Sequence, residues 1–245
     1  MPEAAPKVRL FVEPDLAPRA EVAVGRGHAN YLFTVMRLRE GDAVALFNGR
    51  DGEWRAVIAR AGKRDGALSC VERLRAQDAA PDLDLLFAPL KKARTDFVAE
   101  KATEMGVRRL RPIFTDFTNA ERVNAARLRA HAVEAAEQCG ILSVPEVAEP
   151  ARLSAVLDEW APGRRLLFCD EARDAAPACA VLAEAAPGPW AVLIGPEGGW
   201  SEAERARLRA LPGAVPATLG PRVLRADTAA VAALALWQTA LGDWR

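Results

Sequence analysis

Read for hydrophobic periodicity, the chain changes rhythm once. From Arg9 to about Arg75, short apolar runs alternate with turns: VRLFVE (8–13), DAVALFNG (42–49), EWRAVIAR (53–60) and ALSCVERL (67–74). The turns between them, at Glu40-Gly41-Asp42, Asn48-Gly49, Asp51-Gly52 and Asp65-Gly66, carry the residue types that tight reversals need. Short strands at this spacing predict a small β-barrel or sandwich. One amphipathic stretch, 28–38, predicts a helix among them.

The polar, proline-containing segment RAQDAAPD (75–82) reads as a boundary. Beyond it, strands alternate with helices. Strands are predicted at 82–90, 108–116, 164–171, 190–195 and 214–220. Helices are predicted at 94–106, ending on Gly106, and at 124–140, 177–186, 201–211 and 227–242. Alternation of this kind predicts an α/β domain with a mostly parallel sheet covered on both faces. In such sheets ligands bind beyond the carboxyl ends of the strands. Three late loops leave predicted strand ends: Cys169-Asp170-Glu171, 195–199 and 220–225.

Two of these loops are unusual. The stretch LIGPEGGW (193–200) packs Gly195, Pro196, Glu197, Gly198 and Gly199 between an apolar strand and a helix start. Glycines let a ligand approach the main chain closely, and proline stiffens the turn and removes one donor. Such a loop can offer backbone groups to the edge of a planar heterocycle, or it can be only a tight strand-to-helix turn. Ser201 and Glu204 have the spacing of a capping box. The second loop, LGPRVLRADTA (219–229), again begins with Gly-Pro. It carries Arg222 and Arg225 and places Asp227-Thr228 where they can cap the last helix. For Arg225 the open readings are a ligand contact, a surface charge, or an ion pair with Asp227 or Glu197.

Composition narrows the function classes. The chain has 245 residues, 51% of them hydrophobic, with 33 basic and 33 acidic residues. It therefore folds, and no global charge announces nucleic acid. Residues 1–75 are slightly basic, and the strongest basic stretch runs from 91 to 111. The excess of arginine over lysine accompanies abundant alanine and is read as coding bias. Cys70, Cys139, Cys169 and Cys179 form no C-x-x-C pair, and His28 and His131 stand apart from them, which disfavours a zinc site. Scattered cysteines suit a reducing cytosol. The amino-terminal residues lack the apolar core of a signal peptide, and the longest apolar run, 229–237, is too short to span a membrane. No G-x-G-x-x-G follows a strand, no phosphate-cradling G-x-x-x-x-G-K-[ST] occurs, and none of the four serines lies in G-x-S-x-G.

The ordered motifs IGPEGG, Ser-x-x-Glu and LGPRVLRADTA before a terminal helix resemble the bacterial small-subunit rRNA uridine-N3 methyltransferase family, within the SPOUT class of knotted methyltransferases. The resemblance covers nearly the whole chain. Val35-Met36-Arg37-Leu38 with Gly41-Asp42 is similar to the family's PUA-like segment. Lys91 with 101–107 (KATEMGV) and the block EAAEQ…VP (134–145) resemble two further family blocks. Met105, Asp227 and Ile141 stand where the family usually has leucine, glutamate and arginine.

The resemblance implies a PUA-like β-barrel for RNA over 1–75 and a SPOUT methyltransferase domain with a carboxyl-terminal trefoil knot over 82–245. It also implies a cytoplasmic homodimer that binds S-adenosylmethionine and acts on 16S rRNA or the small ribosomal subunit. By the same route Gly195, Pro196, Glu197, Gly198, Gly199, Leu219, Gly220, Val223, Leu224 and Thr228 would contact the cofactor, with Asp170-Glu171 near the pocket. Arg37, Lys91, Arg94 and Lys101 would meet RNA. Arg225 would orient the uracil or stabilise charge on its carbonyl oxygens, and Glu197 would accept a proton or anchor its loop. The alternatives are a catalytically silent RNA-binding or ribosome-assembly protein, and a SPOUT methyltransferase of another RNA position.

Overall fold

The computed structural model describes residues 6–170 and 175–244. The described chain divides into two compact units, one formed by Met1–Ala79 with Ala136–Ser143 and the other by Ala80–Ala135 with Val144–Arg245.

The first unit is built on β1 (Arg9–Phe11), β2 (Glu21–Val24), β3 (Ala43–Phe47), β4 (Glu53–Ala61) and β5 (Gly66–Arg75), in the order β1-β3-β4-β5-β2. Only β1 and β3 pair in parallel. Alternate residues of the strands bury Leu10, Val22, Val24, Val44, Leu46, Ala56, Ile58 and Leu68 in one core, which is the period-2 pattern of the sequence. Register shifts along the β4–β5 pair, of the kind that bend a strand, let the sheet turn about that core. The stretch EVAV, too short to stand out in the sequence, supplies β2. The helix expected over 28–38 is instead one α-turn, α1 (Arg26–Ala29), running into a π-helix over Asn30–Val35. It stops there because Arg37 takes a left-handed conformation, φ 57°, which a helix cannot continue.

The second unit has β6 (Leu83–Phe87), α2 (Lys92–Glu104), β7 (Arg109–Phe114), α3 (Ala125–Cys139), β8 (Glu146–Val147), β9 (Ala151–Arg152) and α4 (Leu153–Asp158). It continues with β10 (Arg165–Cys169), α5 (Ala178–Ala183), β11 (Trp190–Ile194), α6 (Glu202–Ala210), β12 (Ala214–Ala217) and α7 (Ala226–Leu241). The main sheet runs β12-β10-β11-β6-β7-β8, and every pairing in it is parallel. Alternation splits its side chains between two cores. Leu83, Leu85, Phe87, Leu167, Trp190, Val192 and Ile194 pack with α2, α5 and α7. Leu86, Leu166, Phe168, Ala191 and Leu193 pack with α4 and α6. After β12, at the sheet edge, the chain returns in α7 to pack on α2, α5 and β11.

Two features lie outside the sequence pattern. The short elements β8, β9 and α4 fill a stretch with no clear period. The last turn of α3 and the segment after it, 136–143, cluster with the first unit, so the second unit is not the continuous 82–245 block that the boundary at 75–82 implies. Hydrogen bonds from Arg9 and Arg75 to main-chain carbonyls fix that segment and leave no trace in hydrophobic periodicity.

Candidate functional site

Every main-sheet strand is parallel, so the strand ends that carry outgoing loops fall on one side. A cavity of about 300 Å³ opens there. Its floor is Cys169 and Asp170 at the end of β10 and Ile194 at the end of β11. Its walls are the loop after β11 and the loop from Thr218 into the first turn of α7. Two of the three loops singled out in the sequence therefore form one cleft, with Asp170 of the third. Glu171 lies outside the described residues.

The wall after β11 shows why its residues are small. A Cβ at Gly195 would sit 2.7 Å from the indole of Trp200. That ring is buried at 4% exposure and packs edge-on against Phe168, with centroids 5.4 Å apart. Gly199 adopts φ 75° and closes a turn by donating its N–H to the Pro196 carbonyl at 3.0 Å. The following helix is capped as expected. The Glu204 N–H donates to Ser201 Oγ and the Ser201 N–H to Glu204 Oε2, each at 3.2 Å. Because Trp200 has no room to yield, Gly195→Ala is expected to displace the loop. The expected cost is about 1–3 kcal/mol of stability, the range for overpacking, with loss of ligand affinity; thermal unfolding and calorimetry check both.

The opposite wall differs in detail from the sequence reading. Arg225, not Asp227, is the N-cap of α7, and its side chain makes no capping hydrogen bond, although Asp227 Oδ1 accepts from the Thr228 N–H at 2.9 Å. Asp227 lies one turn-position inside the helix, where a carboxylate still favours the positive end of the helix dipole, and faces Arg94 with Oδ2 3.5 Å from Nε. Arg94 also hydrogen-bonds Glu197. Among the described residues neither Arg222 nor Arg225 makes a salt bridge, and both are exposed at the cavity rim.

At the floor, the Asp170 carboxylate is fully buried and held by Arg205 Nε at 3.2 Å and Arg209 Nη2 at 2.7 Å, which ties α6 to the end of β10. Cys169 keeps part of its surface open to the cavity, yet burial of the sulfur pushes its thiol up to about 12. A thiol in that state is a poor nucleophile near neutrality.

Of the residues expected at the cofactor, Gly195, Pro196, Glu197, Gly199, Leu219, Gly220, Val223 and Leu224 line the cavity. Gly198 does not, since it turns toward Phe117; a Cβ added there would sit 3.1 Å from the Phe117 Cβ. Thr228 also lies outside the lining, exposed on α7. Of those expected at RNA, Lys91 is exposed at the N-cap of α2, and Arg37 is exposed in the first unit. Lys101 is engaged by Glu104 at 2.7 Å and lies over the Phe97 ring. Arg94 is engaged by Glu197 and Asp227, contacts between sequence-distant residues that no local motif announces. No cluster of metal-ligating side chains occurs among the described residues, and none of their helices is long and apolar enough to cross a membrane.

Comparison with known proteins matches residues 78–238 to the RNA methyltransferase domain family and residues 27–67 to the RNA methyltransferase PUA domain. A ribosomal RNA small subunit methyltransferase E from Synechocystis is 30% identical, over 93% of this chain and 76% of the relative. One of the same name from Rickettsia conorii is 27% identical, over 93% of both chains. A methyltransferase of Legionella pneumophila, solved with bound S-adenosylmethionine, superposes with a TM-score of 0.84 at 26% identity, covering 96% of this chain and 98% of the other. The chain belongs to the RNA methyltransferase family, with a PUA-like first unit.

Proposed function

We propose that this member of the RNA methyltransferase family transfers the methyl group of S-adenosylmethionine to N3 of a uridine in 16S ribosomal RNA. The coarser part, S-adenosylmethionine-dependent methylation of small-subunit ribosomal RNA, follows from family membership and the named relatives. The choice of uridine N3 rests on the sequence motifs IGPEGG and LGPRVLRADTA. The observation that supports the reading most is that 195–199 and 219–225, distant in sequence, wall one cavity at the strand ends.

The residues present fit the donor. Ile194, Leu219 and Leu224 offer apolar surface to the adenine faces, and the two stiff turns offer main-chain groups to its edge. The first turn of α7, where the Arg225 side chain makes no capping hydrogen bond and Asp227 engages only the Thr228 N–H, offers main-chain donors to a polar group of the ligand. When bound, S-adenosylmethionine supplies an electrophilic methyl on a sulfonium. The chain's tasks are to hold the acceptor in line and to accommodate the charge that develops as the N3 proton leaves. Arg225, exposed at the rim and free of ion pairing among the described residues, is assigned to the uracil carbonyl oxygens. Glu197, already engaged by Arg94, is assigned to anchoring its loop rather than to accepting the proton. Arg37 and Lys91 are assigned to RNA phosphates, contacts that weaken as salt rises. Lys101 and Arg94 are occupied within the protein and are secondary there.

The same reading carries a cytoplasmic homodimer and a trefoil-threaded second unit. The return of α7 from the edge strand β12 across to α2 is consistent with that threading. Mass spectrometry of digested 16S rRNA from a strain lacking the gene tests the reaction. Loss of N3-methyluridine is expected. Loss of a ribose methyl in its place would transfer the activity to another position. Calorimetric failure to bind S-adenosylmethionine would leave a silent RNA-binding protein.

A further inference from the structure

The walls of the cavity belong to segments far apart in the chain, and a third element joins them. Arg94 stands in the first turn of α2 and lines no part of the cavity. Its guanidinium hydrogen-bonds the Glu197 carboxylate of one wall, and its Nε lies 3.5 Å from Asp227 Oδ2 in the first turn of α7, beside the other wall. The Arg94 and Asp227 side chains are mostly buried, at 29% and 18% exposure, whereas Glu197 is half exposed. A planar guanidinium can serve two carboxylates at once, which a lysine does less well. Glu197 sits between Pro196 and Gly198, inside the turn that the Gly199 N–H closes on the Pro196 carbonyl, so tethering its side chain tethers that turn as a unit.

We propose that Arg94 is a positioning residue that latches the loop at 195–199 to the first turn of α7 and so sets the spacing of the two cavity walls. For catalysis this rests on the functional reading above. The latch holds a preformed site, and its loss makes the bound donor supply the ordering itself, which is read as weaker affinity. Donor binding, not the chemical step, is therefore where the effect falls.

The test uses the full-length protein and its Arg94→Met, Arg94→Lys and Glu197→Gln variants. Hydrogen exchange of the ligand-free proteins is read at 195–199 and 226–230, with α2 as the internal reference for folding. Arg94→Met is expected to speed exchange in both segments and to leave α2 protected, and Arg94→Lys to restore part of the protection. Calorimetry with S-adenosylmethionine is expected to show about three- to tenfold weaker binding in Arg94→Met, the size that one or two partly exposed ion pairs allow. The turnover rate at saturating donor should change less than its KM. Adding Glu197→Gln to Arg94→Met should cost little more, since the pair is already broken. Unchanged exchange in both segments, or single-variant losses that simply multiply, would overturn the latch. If the unaltered protein binds no S-adenosylmethionine while Arg94→Met still loosens both segments, the latch stands and the functional reading falls.

Discussion

Arg225→Ala is expected to slow methyl transfer about 100-fold at saturating substrates, the cost of deleting one donor aimed at developing charge. Affinity for S-adenosylmethionine should stay near that of the unaltered protein. The asymmetry follows from position. Arg225 is the N-cap of α7, and its carbonyl accepts the first helical hydrogen bond, from Ala229 N–H at 2.8 Å. Alanine keeps that main-chain geometry, so the cavity wall survives. What disappears is an exposed cation at the rim, unpaired among the described residues. In the proposed reaction the N3 proton of a uridine leaves and negative charge spreads onto the flanking carbonyl oxygens, where the proposed guanidinium contact would stabilise the transition state more than the neutral base. Arg225→Lys should recover only part of the rate, because a point charge does not reproduce the planar fork. Single-turnover kinetics with separate variation of donor and RNA decide the matter. A variant with full turnover and only a raised KM for RNA would reduce Arg225 to uniform binding and remove it from the chemistry.

The same site shows where sequence reasoning reaches its limit. Strands β6, β10 and β11 are legible because each is a short apolar run, and β4 and β5 because the turn residues bracket them. The stiff loops are legible because Gly-Pro and Gly-Gly are local signals, and the Ser201 box because a cap acts over three residues. Arg94 is legible only as a cation. Its partner Glu197 lies 103 residues away, and no periodicity links the two. For the same reason the sequence groups Arg94 with the RNA-facing charges. It also misplaces the start of α7 by a residue or two, because Asp227 and Thr228 have cap chemistry. The helix begins at Ala226 instead, and Asp227 is drawn to Arg94. The bend at 30–37 escapes because a π-helix and an α-helix share nearly the same amphipathic pattern over two turns, and a left-handed arginine has no composition signal.

A comparable hidden centre lies in the first unit, and Arg9→Met is expected to cost that unit about 3 kcal/mol, the lower end of the range for removing one member of a buried ion pair. Arg9 donates from Nε to Glu53 Oε1 at 2.6 Å, from Nη1 to the Ala136 and Glu137 carbonyls at 2.6 and 2.8 Å, and from Nη2 to the Ile141 carbonyl at 3.0 Å. Its guanidinium also lies 4.5 Å from the centre of the Phe47 ring. The end of a helix leaves carbonyls without intrahelical partners and a partial negative charge, and this cation answers both at the end of α3. Methionine fills much of the volume and leaves Glu53, at 7% exposure, with Arg75 alone. The effect depends on pH in a defined direction. Burial raises the Glu53 carboxyl, but hydrogen bonds from Arg75 and Arg9 outweigh it and hold the group below its ordinary 4.5. A carboxyl depressed by folding contributes stability that is whole above its unfolded value and lost as the pH falls through its folded one. The intact protein should therefore keep this contribution down to about pH 4.5 and lose it below. Arg9→Met should have less of this contribution to lose and should finish losing it at a higher pH, because fewer hydrogen bonds hold the folded carboxyl below its unfolded value. Glu53→Gln should flatten that part of the acid profile altogether. Hydrogen exchange read separately over 9–75 and 136–143 measures each effect, and equal protection of the Arg9→Met protein at neutral pH would show that the carbonyl cage contributes nothing to holding the segment.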